Sequence, residues 1–190
     1  MKHVDAPIAE LLVAAKTVIE TLAGKECMLG ISESVTGGTI ASYLTRIDGC
    51  SNILFASQVL YSSLGKSSFC ELPMKKIVEQ GTVSKEIISE MLDCMARRFF
   101  KALEDPDATR LVIAPRHFVS LATCGVAGDP IEDLPRGTVL EGISLYRDGK
   151  CIENEIRHMQ LEGNRWTIIS GATRAALSLI LEKASMLSIK

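Results

Sequence analysis

The chain of 190 residues is 47% hydrophobic and 23% charged, the proportions of an ordinary globular domain, which excludes disorder, collagen-like repeats and coiled coil. Its length suits a single domain spanning 1–190. With 21 Lys and Arg against 23 Asp and Glu the net charge is −2, so no global positive field draws nucleic acid or an anionic membrane.

Asp5 ahead of Pro7 marks a helix start, and Ile8, Leu11, Leu12, Ala15, Ile19 and Leu22 recur at helical spacing up to Gly24. Glu10 and Lys16 interrupt and close this run, unlike the unbroken core of a secretory signal, so the cytoplasm is the expected compartment. Cys27 to Ile31 reads as a strand. It feeds the polar segment Ser32 to Gly38, after which Ile40, Ala41, Tyr43, Leu44 and Ile47 resume a helix. Ile53 to Tyr61 alternates as a second strand. This stretch is also part of the longest run without charge, Gly49 to Gly65. Its Ser51, Asn52, Gln58, Ser62 and Ser63 are too many polar groups for a membrane span. Ser62 to Ser68 suggests a short helix, and Pro73 and Gly81 bracket another.

Ser84 heads the longest helix, Lys85 to Leu103, whose acidic first half and basic Arg97, Arg98 and Lys101 complement the helix dipole. Leu111 to Ala114 and Phe118 to Cys124 are strand-like and separated by Pro115 and Arg116. Gly125 to Arg136 is a loop. Thr138 to Tyr146 and Cys151 to Leu161 flank Asp148-Gly149, a hairpin signal. A last helix is expected over Arg165 to Leu187. Strands interleaved with helices, then a hairpin, give an α/β fold: a layered α/β/α domain with a mixed sheet, helices on both faces and a C-terminal β-hairpin plus helix. Ligands then collect at the strand-to-helix loops.

Six cysteines, Cys27, Cys50, Cys70, Cys94, Cys124 and Cys151, stand singly with no C-x-x-C pair, and most are expected to be reduced and buried. His3, His117 and His158 form no zinc signature, so no metal is indicated. The informative segment is Ser32 to Gly38. A strand feeding small hydroxyl residues and a Gly-Gly pair into a helix start can expose a hydroxyl and free backbone N–H groups for a phosphate or an oxyanion. The competing reading is that Thr36 simply caps the following helix.

Six blocks carry a family resemblance. Glu33-Ser34-Val35-Thr36-Gly37-Gly38, Tyr61-Ser62-Ser63-Leu64-Gly65-Lys66, and Leu72-Pro73 with Gly81-Thr82-Val83-Ser84 are followed by Gly125-Val126-Ala127-Gly128, Gly137-Thr138-Val139 and Gly163-Asn164-Arg165. In this order, from about Ala6 to Leu187, they resemble the CinA C-terminal domain, the nicotinamide-mononucleotide amidohydrolase family, whose blocks read ESCTGG, YSNEAK, VPEE with GAVS, GIAGP, GTV and GDR. The resemblance implies a Ser-Lys amidohydrolase that deamidates nicotinamide mononucleotide without metal or organic cofactor. Ser34 would be the nucleophile and Lys66 its base. Thr36, Gly37, Gly38, Tyr61, Ser62, Cys124, Gly125 and Arg165 would bind the substrate. The implied partner is a small pyridine nucleotide, with no nucleic acid and no membrane; self-association stays open.

That assignment suits the residue types. An amide is a poor electrophile, and a serine hydroxyl needs a base to remove its proton. A lysine is that base only when neutral, a form that burial favours, whereas a solvated lysine on a polar segment is a plain surface charge. Glu33 beside the nucleophile is expected to be structural. Arg165 could clamp a phosphate or form a surface ion pair. Val35, Ser63, Leu64-Gly65, Asn164, Asp129 and Cys124 depart from the family pattern, and the family's separate N-terminal domain is absent, which reads as a stand-alone form. The departures keep a second reading open: a nucleotide-binding or regulatory module that has lost catalysis.

Overall fold

The computed structural model describes residues 5–108, 115–131 and 133–187. In chain order the elements are α1 (Asp5–Ala23), β1 (Cys27–Glu33), α2 (Thr39–Leu44), β2 (Leu54–Val59), α3 (Ser63–Cys70), α4 (Met74–Gln80) and α5 (Lys85–Leu103). They are followed by β3 (His117–Gly125), β4 (Thr138–Arg147), β5 (Lys150–Gln160) and α6 (Arg165–Ala184). The strand expected over Leu111 to Ala114 lies outside the described residues.

The five strands form one mixed sheet in the order β2-β1-β3-β4-β5. β1 runs parallel to β2 and β3, while β4 is antiparallel to both β3 and β5. The β4–β5 turn is Asp148-Gly149, both at positive φ, as a tight primed hairpin turn demands. β3 lies centrally, and all but its last residue are buried, because helices cover both faces of the sheet there. On one face α1, α2 and α6 pack on Leu29, Ile31, Val119, Leu121, Ile143 and Leu145. On the other, α3, α4 and α5 pack on Ala122, Cys124 and Leu140.

Small residues let α5 approach the sheet closely. A Cβ on Gly142 would stand 2.3 Å from Ile88 Cγ2, and one on Gly30 would stand 2.5 Å from Met95 Cγ. Between these contacts Ser32 Oγ donates to Met91 O at 3.2 Å and Ser120 Oγ to Leu92 O at 2.9 Å. The α5 carbonyls thus find donors rising from the sheet rather than apolar methyl groups.

Three boundaries differ from expectation, the first in a way that matters below. β1 continues through Ser32 to Glu33, so these two residues belong to the strand and not to the loop; Glu33 pairs in register with Val59 of β2. α2 stops at Leu44, short of Ile47. At the other end of the chain α6 stops at Ala184, and Ser185 to Leu187 continue as tight turns bonded three residues back.

One polar group in the sheet makes a pH prediction. Glu141 on β4 is 1% exposed, and its Oε1 has no hydrogen-bond partner among the described residues. Burial pushes its carboxyl up to about 8, partly opposed by Arg157 on the neighbouring strand. A carboxyl raised above its unfolded value favours the unfolded chain once the pH passes that unfolded value of 4.5. Its stabilising effect is therefore complete below that point and is lost as the pH climbs to about 8. Glu141→Gln, which has no proton to lose, should be more stable than wild type by roughly 2–4 kcal/mol at pH 8 and nearly equal to it at pH 4. Urea unfolding at the two pH values measures this, and equal stabilities at pH 8 would refute it.

Candidate active site

β1 ends at Glu33, and the chain then turns through Ser34 to Gly38 before α2. Gly37 and Gly38 have φ of 60° and 92°. The turn itself needs glycine here; neither glycine lines the cavity described below. The amides at the start of α2 are not free, contrary to the expectation of an anion site there. The buried Glu33 carboxylate accepts from Gly38 N at 2.9 Å, Ile40 N at 3.1 Å and Ala41 N at 2.9 Å, and from Ser57 Oγ at 3.2 Å. Glu33 is thus structural, as expected, and it takes the role that Thr36 was expected to fill. Thr36 is buried, its hydroxyl bonded to Thr123 Oγ1 at 2.9 Å.

Thr123 fastens the same turn from β3. Its Oγ1 also accepts from Ser34 N at 3.4 Å. Among the described residues the Val35 and Thr36 backbone N–H groups donate to no partner. Two free donors therefore follow Ser34 directly, the place from which a backbone amide stabilises an oxyanion formed at the preceding residue.

Lys66 comes from α3, whose start is capped by Ser62 Oγ accepting from Gly65 N at 3.0 Å. The polar surroundings of Lys66 in the sequence suggest a surface charge, but its side chain is only 1% exposed. Its Nζ donates to Ser34 Oγ at 3.1 Å. No carboxylate pairs with it among the described residues. A buried lysine without a counter-ion, hydrogen-bonded to a serine, is an arrangement in which lysine acts as a general base.

A cavity of about 240 Å³ opens over this pair, lined by Ser34, Val35, Lys66, Tyr61, Arg165 and the stretch Gly125 to Asp129. Its size suits a small molecule rather than a polymer. Arg165, the first residue of α6, donates to the Tyr61 hydroxyl and has no carboxylate partner among the described residues. Of its two expected roles, the surface ion pair is not found among the described residues. Asp129 is instead held by Arg136, whose Nη2 lies 3.4 Å from its Oδ1 and whose Nε donates to Gly128 O.

Among the expected site residues, Ser34, Lys66, Tyr61, Gly125 and Arg165 meet at this cavity; Thr36, Gly37, Gly38, Ser62 and Cys124 do not line it. Cys124 is fully buried, its thiol donating to Met91 Sδ at 3.4 Å. Burial raises its pKa, with Lys66 and Ser34 opposing. It supports the pair from below rather than facing a ligand. Thr82 and Val83 also line the cavity, and Thr82 bonds Ser63 Oγ at 3.3 Å. Sequence reading quoted Thr82 in a motif without giving it a role. It overlooked Thr123 altogether. Among the described residues no cluster of three His, Cys, Asp or Glu side chains is placed to hold a metal ion.

A family model for the CinA C-terminal domain matches residues 12–103, the stretch that contributes both Ser34 and Lys66. Over these residues the chain matches the CinA family. A CinA-like protein from Syntrophus aciditrophicus is 30% identical over 166 residues, covering 86% of this chain and 34% of its own. One from Chlorobium phaeobacteroides is 28% identical over 153 residues, covering 79% and 32%. The chain thus spans about a third of the length of the curated relatives it matches. The crystal structure of a CinA superfamily protein from Klebsiella pneumoniae 700603 superposes with a TM-score of 0.76 at 19% identity, over 93% of this chain and 98% of that one. That likeness shows the α/β fold with its mixed sheet. Within the CinA family frame, Asn164 in place of Asp is a mild departure, since its Oδ1 caps α6 by accepting from Thr167 N at 3.0 Å, which either residue does well. No helix among the described residues is long and apolar enough to cross a membrane.

Proposed function

We propose that the chain is an amidohydrolase that releases ammonia from the carboxamide of a pyridine mononucleotide, nicotinamide mononucleotide being the substrate that the family resemblance implies. The observation supporting this most strongly is the 3.1 Å contact between the buried Lys66 amine and the Ser34 hydroxyl. In the scheme, neutral Lys66 takes the Ser34 proton while Oγ attacks the carboxamide carbon. The oxygen of the tetrahedral intermediate gains negative charge, and the free amide of Val35, which lines the cavity, is its donor. Lys66 then returns the proton to the departing nitrogen, the C–N bond breaks, and ammonia leaves an ester on Ser34. Water, activated by the same amine, hydrolyses that ester to the carboxylate. Arg165, steadied by Tyr61, supplies the charge for the substrate phosphate. The scheme calls for no cofactor, and a nucleotide substrate together with unpaired thiols suits the cytoplasm.

A second reading, a nucleotide-binding or regulatory module without turnover, draws on Asp129. It places a carboxylate on the cavity lining, where the family pattern has a Gly-Pro turn and where a phosphate would be repelled. Ammonia release separates the two. The purified chain should liberate ammonia from nicotinamide mononucleotide and much less from the riboside that lacks the phosphate. Nucleotide binding with no ammonia would favour the second reading.

A further inference from the structure

A second cluster of reactive groups lies away from the Ser34 cavity, between the end of α3 and the middle of α5. Cys70, the last residue of α3, and Cys94 of α5 are 3% and 2% exposed, and Cys94 Sγ lies 3.5 Å from the carbonyl oxygen of Phe69, the residue before Cys70. Gln58 of β2 reaches both: its Nε2 lies 4.0 Å from Cys70 Sγ and 3.8 Å from Cys94 Sγ, while donating to Ser32 Oγ at 2.9 Å. Both cysteines line a cavity of about 280 Å³ together with Glu71, Arg97, Arg98 and Lys101. The two sulfurs are therefore buried by side chains yet open onto a space with three cations around it.

The two thiols are not equivalent. Its neighbour Cys70 is the largest influence holding the Cys94 thiol below its ordinary range, with Arg98 and Gln58 adding to it against burial. Cys70 is pushed the opposite way, by Cys94 first and by burial next. One sulfur is set up to attack as a thiolate, and its neighbour keeps its proton, the division of labour between a peroxide-reactive cysteine and its resolving partner.

We propose that Cys70 and Cys94 form a peroxide-reactive dithiol that closes to a disulfide between α3 and α5, one helical turn from Lys66. In the first step the Cys94 thiolate attacks one oxygen of a hydroperoxide. The S–O bond forms, the O–O bond breaks, and the departing hydroxide or alkoxide takes up the proton that Cys94 had given to solvent. In the second step Cys70 sulfur attacks the sulfenic sulfur of Cys94. The S–S bond forms, the S–O bond breaks, and the hydroxide leaves with the Cys70 proton as water. Two thiols are oxidised by two electrons and one peroxide is reduced. This chemistry is independent of the amidohydrolase reading.

The test uses Cys151, the exposed cysteine of the chain, as an internal control for accessibility. The folded protein is treated with hydrogen peroxide, free thiols are alkylated after denaturation, and the digest is mapped by mass spectrometry. The expected result is a linked peptide pair joining Cys70 to Cys94, lost again on treatment with dithiothreitol and formed roughly tenfold faster than Cys151 oxidises. In Cys70→Ser the first step should stop at a sulfenic acid on Cys94, captured by dimedone. The proposal is overturned if both thiols in the wild-type protein stay free while Cys151 oxidises, or if all six cysteines oxidise at comparable rates. Dimedone capture that fails at Cys94 in folded Cys70→Ser would also overturn it.

Discussion

Ser34→Ala should lower ammonia release from nicotinamide mononucleotide by about 10³-fold or more while leaving nucleotide affinity within a few-fold. Removing Oγ takes away the atom that would form the acyl bond. The turn stays anchored, because the Ser34 backbone N–H still reaches Thr123 and the Gly38, Ile40 and Ala41 amides still reach Glu33. Groups that would hold the ligand, Arg165 and Tyr61, lie on other elements and are untouched. An enzyme that uses Ser34 only to position substrate would lose affinity and turnover together. Steady-state kinetics with a parallel binding measurement distinguishes these outcomes, and near-full activity in Ser34→Ala would exclude a covalent serine mechanism.

Glu33→Ala should produce the largest loss of stability at the site, about 3–5 kcal/mol. Its carboxylate is fully buried and accepts four hydrogen bonds. Truncation removes all four, opens a void beneath the turn and leaves three backbone donors at the start of α2 without acceptors. Glu33→Gln should fall between the two. It keeps the shape and one accepting oxygen, but it turns an NH2 group toward amides that also donate. Because the turn carrying Ser34 is fixed by these bonds, activity should fall alongside stability in both variants. Denaturant unfolding checks the order, and an Ala variant as stable as wild type would show that Glu33 does not secure the turn.

The fold was readable from the sequence because its signals are local. Helical spacing in α1, the Ser84 cap of α5 and the Asp148-Gly149 turn each act within a few residues, and they appear where expected. The site was readable in part, through the order of its motifs. What stayed hidden depends on contacts distant in sequence. That β1 runs on to Glu33 is set by pairing with β2, and only this extension directs the carboxylate back onto α2. The burial of Lys66, expected from its motif, comes from the packing of α3 and not from the serines and glycine beside it in the chain. Thr123 and Cys124 are adjacent on a strand, so they face opposite sides of the sheet. Thr123 reaches the turn at Ser34 and Thr36, whereas Cys124 packs beside Met91 of α5. The alternation of β3 carried a signal for Thr123. No comparable local signal brings Gln58, Cys70 and Cys94 together, since they come from three elements.

The central claim is that Lys66 serves as the base for Ser34, and turnover in Lys66→Met and Lys66→Arg tests it most directly. Methionine fills the buried volume without an amine. Arginine keeps a cation but cannot give up its proton in this range. For each variant, ammonia release is measured beside nucleotide affinity and thermal unfolding, so that a folding defect is seen as such. The account predicts that both variants, folded and still binding the nucleotide, lose about 10²- to 10⁴-fold in turnover. Turnover within tenfold of wild type in a folded, nucleotide-bound Lys66→Arg would contradict it, because a fixed cation would then be enough.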